Sequence, residues 1–598
     1  MYGYTGKILY IDLEKGKSRT VPVTDNFARM YLGGNGFGAR ILYDTVPRGA
    51  DPLGPQNVLI FAAGPASGTL LHGAGRTHLM TKSPLTGGFM DSSTGKDFAA
   101  ELKFAGYDAL VLQKRAPQPV YIRIFNEEIE ILPAGLLWGS SAAEAQTHVR
   151  EEIGEDYSCM TIGQAGEHAV RYACTISDTR AAGRGGTGAV MGSKNVKLIA
   201  VTGTGSVSIP SMDAFMEFYD ELIPLYRKNL KSLSQYGTPI LVNTINTLGG
   251  LGTRNWQEET FDTAEKISGE IYRENYLKWH TACFACRVGC GKVFACERGL
   301  SEGPEYETLY SLGSCCGVDD PEILIEADRL CDEYSLDTIS MGVSVAFLME
   351  CWERGLISDP EISFGDGEGL IEAIHKTAVR EGYGDLLAEG SRLMAQRIGK
   401  GSDQFAIHVK GLEIAGHSPR ALKSMSVGYA TATRGGSHHD SRPTYEYSLE
   451  DKRTLEGKAK IAVDSSNWTT FGDSLVICHL MEKAVGIFLC DNHVKMVNLV
   501  TGWNWTLEDV VHVSERIYNL ERCFNVREGF SRKDDILPGR IMYEDISKGG
   551  SQGCRAAPEE LDILLDQYYD LRGWDSTGKP TIQKLNQLGL TDCIQDLY

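Results

Sequence analysis

The sequence predicts an α+β chain in which a β-rich N-terminal part is followed by two mainly helical parts. Three observations carry this. Up to about residue 207, short apolar or alternating runs of strand length are separated by Gly-rich turns. From about residue 208 the apolar residues recur at three- and four-residue spacing. At 598 residues the chain also exceeds what one hydrophobic core supports. The expected divisions are 1–207, 208–405 and 406–598.

In order, Lys7–Leu13 alternates as a strand, and Val58–Phe61 and Ala109–Leu112 are short apolar runs. Val120–Ile124 and Glu128–Leu132 read as a hairpin, and Lys197–Thr202 closes the region as a strand. Gly-rich stretches at 33–38 (GGNGFG), 73–76 (GAGR), 93–96 (STGK) and 182–195 are expected to be loops. GGNGFG is not followed by a βαβ unit, and GRGGTG lacks the Lys-Ser/Thr end of a P-loop, so neither predicts a nucleotide site. Helices are expected over Phe215–Lys228, Glu322–Tyr334, Thr338–Trp352 and Gly369–Glu381. The last part is mainly helical, with a mixed stretch near 417–450.

Composition narrows the function. Hydrophobic content of 42% and charged content of 23% are those of a globular protein. A formal charge of −20 argues against nucleic acid, whose phosphates require a basic face. No window is apolar over the length of a membrane span. The N-terminus has no basic-then-apolar leader, so the fifteen cysteines are expected as thiols in a reducing cytoplasm.

The chemistry concentrates in CFACRVGC. Cys283, Cys286 and Cys290 have the spacing C-x2-C-x3-C, so three thiolates can converge on one centre, either an iron–sulfur cluster or a structural zinc. The fourth ligand must come from elsewhere. Two segments share the form D-x4-[D/C]: Asp332–Asp337 and Asp473–Cys478. Helix capping is the ordinary role for Asp337 before Thr338, and for Asp473 before a helix through Leu475–Leu480. Cys478 is the natural candidate for the missing ligand.

These residues, with GGNGFGAR (33–40), ELKFAGYDAL (101–110), AGRGGTGAVMGSKNVK (182–197), GPEYETL (303–309), NVREGFSRKDDILPGR (525–540) and LRGWDSTGKPT (571–581), resemble the tungsten-dependent aldehyde:ferredoxin oxidoreductases. The resemblance covers nearly the whole chain. It implies tungsten, or more rarely molybdenum, held by two pyranopterins, beside a [4Fe–4S] cluster on Cys283, Cys286, Cys290 and Cys478. It casts the N-terminal part as a pterin cradle. Asp332, Leu336, Asp337, Asp473 and Ile477 would contact the pterins. Arg76 and Arg184 would meet their phosphates or the cluster edge, and the backbone of Gly185 and Gly186 would approach the phosphates. Ser93, Thr94 and Gly95, with Ser92, would border a magnesium ion bridging those phosphates. The family's usual Gly-Leu is replaced by Ser335-Leu336 in one copy and Val476-Ile477 in the other.

The resemblance also implies Glu307 as the active-site carboxylate, with Glu305 as the alternative. His438 or His439, in RGGSHHDSR (434–442), would polarise a carbonyl, with one of the two facing the site. Cys315 or Cys316 would be a tungsten ligand if the chain worked like the related catalytic subunit of class II benzoyl-CoA reductase. The implied reaction is aldehyde oxidation, and the alternative is reduction of an aromatic acyl-CoA. No flavin or nicotinamide fingerprint is present, so electrons are expected to leave to a ferredoxin or an iron–sulfur subunit, within an oligomer or multi-subunit complex.

Overall fold

The computed structural model describes residues 1–440 and 445–598. Its N-terminal part holds two six-stranded sheets. The first is formed by β1 (Lys7–Asp12), β2 (Lys17–Pro22), β3 (Leu59–Ala62), β4 (Thr77–Lys82), β5 (Phe89–Thr94) and β6 (Ala109–Gln113), in the order β2-β1-β6-β3-β4-β5. The second uses β7 (Val120–Phe125), β8 (Glu128–Pro133), β9 (Ser158–Thr161), β10 (Thr175–Ser177), β11 (Arg180–Ala182) and β12 (Val196–Thr202), in the order β11-β10-β9-β12-β7-β8. Each sheet has one parallel pair, β1 with β6 and β7 with β12.

Alternation along β1 explains how the layers stack. Leu9 and Ile11 join Ile122, Ile124, Ile199 and Val201 in a core between the two sheets. Ile8 and Tyr10 face the opposite way, into a core shared with the helices Gly34–Thr45 and Leu507–Arg527. The first sheet is therefore covered on both faces, and every residue of β3 and β4 is buried. The hairpin of β7 and β8 keeps one wet face, which is why its alternation shows in the sequence.

The rest is mainly helical, with a small sheet of β13 (Leu277–Thr281), β14 (Gly291–Cys296) and β15 (Gly299–Ser301) in that order. The four predicted helices lie at Met212–Asn229, Pro321–Tyr334, Thr338–Glu353 and Gly367–Val379. The cores cross the predicted divisions: one runs from Tyr4 to Cys593, another from Leu85 to Trp574.

Three Gly-rich stretches differ from expectation. GGNGFG opens the helix Gly34–Thr45, Ser93 and Thr94 end β5, and residues 187–193 form a helix. Close approach explains the first case. A Cβ on Gly34 would lie 2.3 Å from the Asp473 carbonyl oxygen, and one on Gly38 would lie 2.0 Å from the Met80 Cε. These glycines let a helix press against the sheet and against the second D-x4-[D/C] segment.

Candidate active site

The two D-x4-[D/C] segments have the same backbone. The helix Pro321–Tyr334 ends at Ser335 in the left-handed conformation (φ +63°), and Asp337 then caps the next helix by accepting from the Ile339 N–H at 3.0 Å. The helix Lys458–Leu475 ends at Val476 (φ +61°), and Cys478 occupies the cap position before His479–Val485. Asp473 therefore sits in the last turn of a helix and does not cap one. The expected cap at Asp473 is wrong because the helix break falls three residues later.

Each junction docks on the β-rich part. Ser335 accepts from the Gly163 N–H through its hydroxyl and from the Cys174 N–H through its carbonyl. The Cys478 N–H donates to Gly73. A left-handed β-branched residue is unfavourable. Val476 is nonetheless fully buried, and a Cβ at Gly34 or Gly64 would fall within 3 Å of its side chain. Two glycines thus make the space that Val476 fills.

Between these junctions lies a cavity of about 630 Å³. Its wall includes Cys283, Cys286, Cys290 and Cys478, so the structure gathers all four predicted thiols. Burial pushes the Cys286 thiol up to about 11 and the Cys290 thiol up to about 12, with neighbouring thiols adding to both. Among the described residues, the donor groups whose atoms all lie within 4.8 Å of one another are Glu307–His417–His438 and His78–Asp91–Asp473, so the thiols are spread more widely than that. Gly95 closes over them: a Cβ there would lie 2.5 Å from the Cys283 sulfur.

Arg76, Ser93, Gly95 and Arg184 also line the cavity. Arg76 donates to the Ser93 hydroxyl at 2.6 Å and to the Ser93 carbonyl at 3.1 Å. Thr94, Gly185, Gly186, Asp332, Leu336, Asp337, Asp473 and Ile477 are not on the wall. Two aspartates reach it through arginines: Arg184 approaches Asp337 at 2.9 Å, and Arg434 approaches Asp473 at 3.5 Å. Burial and the neighbouring Asp328 push the Asp332 carboxyl well above the carboxylate range.

Glu307 and Glu305 are set apart by their partners. Glu305 is tied to Arg180 at 2.5 Å and to the Thr238 hydroxyl. Glu307 accepts from the Gly416 N–H at 2.8 Å through one oxygen, while the other has no hydrogen-bond partner. Burial pushes its carboxyl up to about 7, the Gly416 bond opposing. His417 Nε2 lies 3.5 Å from Glu307, and His438 Nδ1 lies 3.8 Å from it. Burial pushes His417 down to about 3 and His438 well below its ordinary value, so both are neutral.

Both His438 and His439 line the cavity, where only one was expected; their rings stack edge to face at 4.6 Å. Residues 441 and 442 of that motif lie outside the described residues. Sequence reasoning missed His417 and Arg180. Arg180 precedes the 182–195 stretch by two residues, so proximity to that motif was the available signal, whereas His417 adjoins none of the motifs named above.

Cys315 and Cys316 are fully buried and off the cavity wall. The Cys316 thiol points at the Ser311 and Gly342 carbonyls, 3.3 and 3.2 Å away, in the packing between two helical turns.

The remaining polar groups fit a buried polar ligand. Both His78 nitrogens, one oxygen each of Asp91, Asp440 and Glu413, and the Arg434 Nε are buried without hydrogen-bond partners. Leaving such groups unmet costs about 1–3 kcal/mol each. Of these, Asp91 and Arg434 line the cavity, where a large heterocycle bearing N–H groups and phosphates would meet both.

One cavity thus joins four thiols, four arginines and an acid–imidazole group, a set of side chains suited to redox chemistry. The chain belongs to the aldehyde ferredoxin oxidoreductase family: residues 8–203 match its N-terminal domain, and residues 217–590 match its domains 2 and 3. It is 39% identical to the tungsten-containing aldehyde ferredoxin oxidoreductase of Pyrococcus abyssi, over 99% of this chain and all of that protein. It is 29% identical to the aliphatic sulfonate oxidoreductase WOR-like subunit of Pyrococcus furiosus, over 100% of this chain and 99% of that one. Among solved structures, a chain of the BamBC active-site complex of benzoyl coenzyme A reductase with 1,5-dienoyl-CoA superposes with a TM-score of 0.85 at 25% identity, covering 100% of this chain and 98% of that one. No helix among the described residues is long and apolar enough to cross a membrane.

Proposed function

We propose that this chain is a tungstopterin enzyme, working in a reducing cytoplasm, that oxidises aldehydes to carboxylic acids and passes the electrons to a ferredoxin or an iron–sulfur subunit. The observation that carries the reading is that one cavity is lined by four thiols, four arginines and the Glu307–imidazole group. Asp332, Leu336, Asp337, Arg184, Gly185 and Gly186 would hold one pterin. Asp473, Ile477, Arg76 and the 92–95 backbone would hold the other, the last with a bridging magnesium.

The likeness to tungsten-containing aldehyde ferredoxin oxidoreductases supports a [4Fe–4S] cluster, in preference to zinc, on the four cysteines. When bound, the metallopterin (tungsten, with molybdenum possible) supplies the two-electron acceptor, and the cluster supplies a one-electron exit.

The chain's own residues then divide the work. The neutral imidazole of His417 or His438 donates an N–H to the substrate carbonyl oxygen. Glu307, held by Gly416 with one oxygen unpaired, takes a proton from the attacking water or the hydrated aldehyde. Burial keeps that carboxylate basic enough to do so near neutral pH.

Reduction of an aromatic acyl-CoA is the second reading, favoured by the likeness to the benzoyl-CoA reductase chain. Its candidate thiolate ligands, Cys315 and Cys316, are buried off the cavity wall. The test is metal analysis of anaerobically purified protein together with aldehyde and benzoyl-CoA assays. About one tungsten and about four iron per chain, with aldehyde-dependent reduction of a viologen dye, are expected. Zinc without iron or tungsten would refute the proposal.

A further inference from the structure

Four tyrosines hold one short segment against Glu307. The Tyr310 hydroxyl donates to the Ile414 carbonyl at 3.1 Å, and the Tyr429 hydroxyl donates to the Ala415 carbonyl at 3.1 Å. The Tyr306 hydroxyl donates to the Gly416 carbonyl. The fourth, Tyr447, has its hydroxyl 3.3 Å from Nδ1 of His417. Tyr306, Tyr310 and Tyr429 are fully buried, so their hydrogen bonds are not exchanged with water. A Cβ on Gly416 would lie 2.6 Å from the Tyr310 ring, so glycine is what lets the segment come this close. Three successive carbonyls and the next side chain are thereby fixed. The two groups this segment presents, the Gly416 N–H and the His417 ring, both face Glu307.

The Tyr447 contact decides which nitrogen of His417 carries the proton. Burial pushes the ring down to about 3, so near neutral pH it holds one proton on two nitrogens. His417 is the hydrogen-bond partner of the Tyr447 hydroxyl among the described side chains, and the Ser418 N–H stabilises the phenol oxygen from the other side. The hydroxyl proton therefore points at Nδ1. A nitrogen that accepts carries no proton, so the ring is protonated on Nε2. Nε2 lies 3.5 Å from Oε1 of Glu307, the oxygen left over when the Gly416 N–H takes Oε2.

We propose that Tyr447 and His417 are a positioning pair for the base: Tyr447 fixes the Nε2–H tautomer of His417, and that N–H is aimed at the unpaired oxygen of Glu307. The inference rests on the reading of Glu307 as the proton acceptor. Contacts of this length tighten when substrate binds. With one N–H on each oxygen, the carboxyl is held in one orientation and its charged form is favoured. His417 then has both nitrogens committed, which leaves His438 as the imidazole for the substrate carbonyl. The other groups facing Glu307 do not replace this donor. Arg184 favours the carboxylate and Asp337 opposes it, and the two are paired with each other at 2.9 Å. His438 is neutral, Lys483 helps burial keep both imidazoles so, and Tyr306, Tyr310 and Tyr429 spend their hydroxyl protons on carbonyls.

The test is the pH profile of kcat/KM for aldehyde oxidation by the metal-loaded protein. Losing a donor raises the pKa of a carboxylate, so in Tyr447→Phe the limb at about 7 should move up by about one pH unit. Below the limb that is about a tenfold loss, and above it the parent rate should return. A defect that is merely structural would lower the rate at every pH. His417→Leu should move the limb at least as far. His417→Gln, whose amide N–H can stand in for Nε2–H, should restore part of the shift. A second readout needs no turnover. In protein labelled with heavy nitrogen at histidine, the His417 signals are those missing from His417→Gln. They should show Nδ1 unprotonated and Nε2 protonated, and the Nδ1 signal should move in Tyr447→Phe. A protonated Nδ1 in the parent, or a limb that stays in place in both Tyr447→Phe and His417→Leu, overturns the proposal. A parent that oxidises no aldehyde also overturns it, and the nitrogen signals separate the two failures: the expected tautomer without turnover counts against the reaction, and the opposite tautomer counts against the pair.

Discussion

Replacing Gly95 by alanine should expel the iron while sparing the fold. A Cβ at residue 95 would sit 2.5 Å from the Cys283 sulfur, against an ordinary contact of 3.4–4 Å. The thiol would have to retreat by about 1 Å, more than a metal–sulfur bond tolerates. Gly95 has no positive φ, so backbone strain plays no part. Overpacking of this kind costs about 1–3 kcal/mol, too little to unfold the chain. Gly183→Ala is the control. It lines the same cavity, lacks a positive φ, and its Cβ would meet nothing nearer than 4.0 Å. The assay is iron per chain after anaerobic purification, with far-ultraviolet circular dichroism to confirm folding. Gly95→Ala should retain a minor fraction of the iron, and Gly183→Ala nearly all of it. Full iron in folded Gly95→Ala would show that Cys283 is not held where its ligand role requires.

Other predictions concern the acid groups. With Glu307 pushed up to about 7 and required as a base, kcat/KM should rise with pH through about 7 and then level. Glu307→Gln should lose about 10²–10⁴-fold in rate together with that limb, and a pH-independent parent would contradict the assignment. Glu446 is raised from 4.5 to about 7 by burial, so the folded chain keeps a proton that the unfolded chain has released. Its contribution to stability should therefore fall as pH rises from 4.5 to about 7, by about 1.4 kcal/mol per unit, and stay constant above. Denaturation midpoints of the parent and Glu446→Gln should diverge across that window. Glu350 binds the buried Arg540 twice at 2.7 Å and Asn255 at 2.7 Å. Glu350→Ala should cost about 3–5 kcal/mol by stranding that arginine, read as a lower urea midpoint.

What was legible in the chain was what a few neighbouring residues encode. The C-x2-C-x3-C loop, the cap at Asp337, and the hairpin of β7 and β8 each depend on spacing or on alternation against water. Family membership was legible too, because its motifs are local runs spread along the whole length. β4 and β5 were not legible, since residues buried on both faces show no alternation. GGNGFG looked like a loop because glycine is a poor helix former, yet the helix there exists by packing tightly on Asp473 and Met80. Likewise nothing local placed His417 beside Glu307, or Cys316 against the Ser311 and Gly342 carbonyls. Those positions are set by the packing of distant segments. The sequence by itself therefore determined the cysteine spacing, the cap at Asp337 and the family. Only the tertiary structure decided which of those groups share a cavity, because that depends on contacts between residues a hundred or more positions apart, which no local pattern records.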